Sequence, residues 1–156
     1  MSTCAIAADT KLETPEGPLT VKTVGASPTA VMTRTGDGAT RFAMTTDVGV
    51  TAQAEPVLRI TLDNGRALRV GADQMLLGPD GSKRRAGDLQ PGDAVLSAFA
   101  FPLGYTYRRD SGEELVSDGC VRVAKVENGG SADLYSLAVR LTGCFVFSAG
   151  VIGKSA

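Results

Sequence analysis

The chain has 156 residues, 16 basic and 17 acidic side chains, a formal charge of −1 and no histidine. Without an imidazole, His-based acid–base catalysis and His-ligated zinc or haem are excluded. With Lys83-Arg84-Arg85 as the only basic run, the footprint of a nucleic-acid binder is missing too.

A hydrophobic content of 43% against 21% charged residues describes a globular chain rather than a disordered one. The length fits a single domain, 1–156, with one core. No apolar run approaches the ~18 residues of a membrane span, and the N-terminus lacks the basic and apolar regions of a signal peptide. Cys4, Cys120 and Cys144 are too few and too spread for a disulfide framework or a metal site. The expectation is a cytoplasmic, reduced, monomeric protein with no metal, cofactor, nucleic-acid or membrane partner. The 19 glycines and 7 prolines, with little helical periodicity, predict an all-β fold of short strands and turns.

In chain order, Lys11 to Thr14 alternates like a strand. Pro15-Glu16-Gly17 is a turn, with proline presetting φ, and 19–24 alternates as the next strand. Ala30-Val31-Met32-Thr33 and Thr40-Arg41-Phe42-Ala43-Met44 flank Gly36-Asp37-Gly38 as a hairpin. Residues 45–55 read as an irregular connection with a short strand near Val48-Gly49-Val50. Residues 57–62 alternate, turn at Asp63-Asn64-Gly65, and return over 66–70; Asn-Gly in such a turn places φ > 0 at both central positions. Gly78-Pro79-Asp80-Gly81 and 86–93 are further turns, the second leading into Ala94-Val95-Leu96. Asp88 and Asp93 read as turn residues bonded to their own backbone. Residues 98–119 form a loop or insertion. Residues 120–127 are a strand, Asn128-Gly129-Gly130 a turn, and 133–139 another strand. Cys144, on an apolar strand, and Cys120, at one end of its amphipathic strand, read as core packing.

Three separated segments, in order, resemble the Hint (Hedgehog/intein) self-processing domains. The first is Cys4 followed by small residues, then Asp9-Thr10 and Thr14-Pro15-Glu16-Gly17. The second is 57–97, with its acidic-Asn-Gly turn and its tail Ala86-Gly87-Asp88-Leu89-Gln90-Pro91-Gly92-Asp93. The third joins Asp133-Leu134-Tyr135-Ser136-Leu137, where Ser136 stands in a place often held by Asp, to the closing 142–152. A short echo, Leu12-Glu13-Thr14-Pro15-Glu16-Gly17 against Leu76-Leu77-Gly78-Pro79-Asp80-Gly81, suits the pseudo-two-fold horseshoe of that family.

The resemblance implies that Cys4 is a nucleophile able to attack the Thr3 carbonyl in an N-to-S acyl shift. It also implies that Cys4, the middle box and the chain's last residues meet in one place. The family's Thr-x-x-His box is Gly71-Ala72-Asp73-Gln74 here. Gly71 has no hydroxyl, and Gln74 can donate a hydrogen bond but not a proton. Asp73 donates one only if burial raises its pKa. The closing His-Asn of the family is Lys154-Ser155, and serine cannot cyclise to a succinimide. Gly153 replaces an apolar residue. The reaction positions so implied are Cys4, Asp73, Gln74 and Ser155. The implied activity is single-turnover self-cleavage at Thr3–Cys4, deficient in splicing, on the flanking polypeptide in cis. The alternative is a catalytically dead Hint scaffold that binds a protein partner through 99–107. Restoring the box with Gly71→Thr and Gln74→His is expected to raise cleavage.

Overall fold

The computed structural model describes residues 4–156. Its elements are β1 (Ile6–Ala7), β2 (Lys11–Thr14), β3 (Gly17–Thr20), α1 (Val21–Ala26), β4 (Ala30–Arg34), β5 (Thr40–Met44), β6 (Thr46–Leu62), β7 (Ala67–Val70), β8 (Met75–Leu77), β9 (Lys83–Arg85), a 3₁₀ turn (Ala86–Asp88), β10 (Ala94–Leu96), β11 (Thr106–Arg108), β12 (Glu114–Val116), β13 (Cys120–Ala138), β14 (Cys144–Val146) and β15 (Ile152–Lys154). The all-β expectation holds, and no described helix is long and apolar enough to cross a membrane.

Two long antiparallel strands, β6 and β13, form a curved ribbon at the centre of a sheet ordered β1-β7-β6-β13-β10. On each side of the ribbon the chain runs through a hairpin, a short helix and a further strand: β2–β3, α1, β4, and then β8–β9, the 3₁₀ turn, β10. The echoed segments thus occupy equivalent hairpins of a pseudo-two-fold architecture. The two halves interlock through β14 and β15, where Phe147 bridges Leu12 and Gly153 pairs with Leu76. Ile6, Leu12, Ile60, Leu76, Phe145 and Phe147 are fully buried in the shared core.

Four local expectations are corrected. Residues 21–26 are helical rather than extended: Thr20 caps the first turn, its side chain accepting from the Thr23 amide, and Val21 and Val24 face the core at helical spacing. At Asp63-Asn64-Gly65 only Gly65 has positive φ, at 82°. The Gly65 amide donates to Leu62 and the Leu62 amide to Arg66, a three-residue loop with the glycine in the left-handed position. The stretch 45–55 is no irregular connection; from Thr46 on it is the first part of β6. It lacks alternation because both its faces are largely exposed, so its strand character comes from pairing with β13 alone. Asn128-Gly129-Gly130 is not a turn between strands but a bulge within β13. There the register slips between Asn128 and Ser131, and Gly130 takes φ 83°.

The segment 98–119 carries the small β11–β12 hairpin. Its aromatic residues lie half exposed, with Phe101 stacked on Tyr105 at 4.8 Å.

Candidate active site

The site lies where the two ends of the chain meet. β1 is only two residues long, yet it is wedged between β7 and β13: Ile6 pairs with Val70 on one side and Tyr135 on the other. This threads Cys4, fully buried, into the centre of the molecule. β15 pairs with β14 and β8 and delivers Ser155 to the same place. The connection between β7 and β8 supplies Gln74.

Gln74 is fully buried and joins the two ends. Its Oε1 accepts from the Ala5 amide at 2.8 Å. Its Nε2 donates to the Met75 carbonyl at 2.8 Å and to the Lys154 carbonyl at 3.2 Å. One N–H faces the oxygen and two carbonyls face the nitrogen, so only this amide orientation satisfies every group. Both Nε2 hydrogens are thereby committed.

Ser155 is buried, and its hydroxyl accepts from the Val139 amide at 3.3 Å and donates to the Ala156 carbonyl at 3.3 Å. Its own amide donates to Gly143 and that of Ala156 to Leu137, so the last residues are tied down by backbone bonds.

The Cys4 thiol has polar company: hydrogen bonds from the Leu137 backbone, the Ser136 side chain and the Ala156 backbone, and the charge of Lys154 nearby. Burial outweighs them and pushes the thiol above its ordinary pKa. The group is thus a protonated thiol at neutral pH, held where a thiolate would find donors. Ser136 and Lys154, at the places where the resemblance has the family's Asp and penultimate His, are therefore neighbours of the thiol.

Asp73 requires correction. It pairs with Arg85, which contacts its carboxylate at 2.9 and 3.0 Å through two nitrogens, and its side chain is 42% exposed. The burial that a proton-donating carboxyl needs is absent. The structure therefore brings together Cys4, Gln74 and Ser155 and leaves Asp73 outside. Thr3 lies outside the described residues.

Gly71 is also tied to the site, its amide donating to the Ala5 carbonyl at 2.8 Å. A Cβ built on Gly71 would lie 2.9 Å from the Ala5 Cβ, closer than such atoms approach, and a tight 3.1 Å from Leu134 Cδ1. This alters the expectation for the restored box. Gly71→Thr with Gln74→His is expected to lower the melting temperature and leave cleavage unraised, because the threonine displaces Ala5 beside Cys4. Adding Ala5→Gly to the pair is expected to recover part of the stability. Thermal melts and intact mass of the double and triple variants check this; a double variant that is as stable as the parent refutes it.

No family model matches the chain, and no curated protein matches it in sequence. Solved structures do match. A DnaB intein from Synechocystis sp. PCC 6803 is 16% identical over 97% of this chain and 98% of its own, with a TM-score of 0.74. A bacterial intein-like domain from Clostridium thermocellum is 16% identical over 97% and 99%, with a TM-score of 0.73. A DnaX mini intein from Spirulina platensis is 12% identical over 97% and 99%, with a TM-score of 0.71. The chain has the Hint fold of inteins and intein-like domains, along nearly its whole length.

Proposed function

We propose that this domain is a self-processing module of the Hint type that does not splice, and whose remaining reaction is a slow acyl shift at Thr3–Cys4. Cys4 Sγ attacks the Thr3 carbonyl, the C–N bond breaks, and the thiol proton passes to the departing Cys4 amine. The product is a thioester of the upstream polypeptide, which an external thiol or hydroxylamine releases. The substrate is the flanking chain in cis, and no cofactor enters.

The observation that carries this reading is the polar surround of Cys4. A cysteine serving only as core filler has no use for the Ser136 hydroxyl, two backbone donors and a nearby ammonium. Slowness follows from what is missing. The acid and hydroxyl of the family's middle box are absent, since both Gln74 hydrogens are engaged and Gly71 offers no hydroxyl. Each lost donor or acid typically costs on the order of 10²–10⁴ in rate. The C-terminal half of splicing is lost because Ser155 has no amide to cyclise.

The test is a reporter fused ahead of Ser2, incubated with dithiothreitol or hydroxylamine and followed by intact mass. Slow release, abolished by Cys4→Ala, is the expected result. Because the thiol is held above its ordinary pKa, thiolate accumulates only at alkaline pH. The release rate is therefore expected to climb from pH 7 through 9 without reaching a plateau. A rate flat over that range would exclude Cys4 as the attacking group.

A second reading is favoured by the half-exposed Phe99, Phe101 and Tyr105 beside the 77%-exposed Leu103. In it the reaction is extinct and this face of the Hint scaffold contacts a protein partner. No release over days selects that reading.

A further inference from the structure

A cleft of about 480 Å³, within the range of small-ligand sites, has none of Cys4, Gln74 and Ser155 in its lining. Four cations line it, Lys11, Arg59, Arg66 and Arg69, against the single carboxylate of Asp9. Asp9 is already engaged: both its oxygens take Arg69, at 2.6 and 2.7 Å. Among the described residues, Lys11, Arg59 and Arg66 form no ion pair.

The backbone pins these groups in place. The Ser148 amide donates to the Lys11 carbonyl at 3.0 Å, and the Arg66 guanidinium donates to the Ser148 carbonyl at 3.0 Å. Arg59 lies directly across the ladder from Arg69. Like charges opposite one another destabilise a strand pair. On its other side Arg59 faces Glu127, whose carboxylate goes to Lys125 at 3.4 Å. Ser148 also lines the cleft, and its hydroxyl is buried with no hydrogen-bond partner among the described residues. Such an orphan is uncommon in a folded chain. Repelling cations and an idle donor on one concave surface suit the same occupant.

We infer that this cleft binds a compact, multiply charged anion of the phosphate class, held by Lys11, Arg59 and Arg66 with the Ser148 hydroxyl as an additional donor. Guanidinium forks match phosphate oxygens in geometry as well as charge. The site is independent of any reaction at Cys4, so its fate and that of the acyl shift are separable.

Calorimetric titration of the full chain with sodium pyrophosphate, at constant ionic strength set by chloride, tests the inference. One saturable site is expected. Arg59→Gln and Lys11→Gln should each weaken it by about tenfold or more, through loss of a charge-assisted contact. Lys83→Gln, at the exposed first residue of β9 and outside the cleft, should leave it unchanged. Ser148→Ala should weaken it by a smaller factor. Without anion, Arg59→Gln is expected to melt no lower than the parent, since one of two facing guanidinium groups is gone. Three outcomes overturn the inference: no saturable binding below about 10 mM, equal loss in Lys83→Gln, or undiminished binding in a folded Arg59→Gln variant.

Discussion

Gly153→Ala is expected to destabilise the domain by about 3 kcal/mol, although it adds a single methyl group to a strand. A Cβ at this position would lie 2.7 Å from Phe147 Cε2 and 2.8 Å from Phe145 Cζ. Neither ring can retreat. Both are fully buried and packed edge-to-face at 4.9 Å, and Gly153 pairs directly with Phe145 in the β14–β15 ladder. For a chain of this size such a loss lowers the melting temperature by roughly 6–12 °C. Phe145→Leu in the Gly153→Ala background is expected to restore part of it, since residues in contact couple. Calorimetric melts of both variants decide the matter, and a Gly153→Ala variant within a degree or two of the parent would show that the aromatic pair does not hold this strand. The apolar residue missing from the sequence at 153 is thus accounted for by the two rings that occupy its volume.

Gln74→Ala is expected to cost a similar amount, about 3–4 kcal/mol. It opens a cavity at a fully buried site and strands the Ala5 amide and the Met75 and Lys154 carbonyls without their partner. Hydrogen exchange at the Ala5 amide should accelerate along with the drop in melting temperature. Gln74→Glu separates hydrogen bonding from volume. The introduced carboxyl must stay protonated to donate to even one of the two carbonyls, so burial there raises its pKa above the unfolded value of about 4.3. Its stability is then present below that pH and lost as pH rises through the folded pKa. The variant should be markedly closer to the parent at pH 5 than at pH 8. Equal loss at both values would show that the amide's donors do not matter.

These two positions also mark what the sequence reveals and what it hides. Lys11–Thr14, the β4–β5 hairpin and the turns at Gly65 and Gly81 are visible because each carries its own local signal, alternation or a turn residue. The three spaced segments that resemble Hint domains placed Cys4, Gln74 and Ser155 together, and the fold does bring them to one point. Asp73 is adjacent to Gln74 in sequence but faces Arg85, a partner twelve positions away whose approach depends on the β8–β9 hairpin. The strand character of 46–55 and the continuity of β13 across Asn128-Gly129-Gly130 are invisible for a related reason. They arise from pairing between distant segments, which the short strand signal at Val48-Gly49-Val50 and the turn signal at Asn128-Gly129-Gly130 do not convey. Space is equally silent: nothing in a string of letters says that residues 71 and 153 have no room for a methyl group.

The ribbon of β6 and β13 has a kinetic consequence. Its partners lie far apart along the chain, Val123 opposite Leu62 and Ala138 opposite Thr46, so neither strand can be sheltered until the intervening hairpins have been made and brought round. Folding should accordingly be slow for a domain of this length, in milliseconds to seconds rather than microseconds. Until the ribbon closes, the nascent chain presents two long unpaired edges, the hallmark of an intermediate prone to self-association.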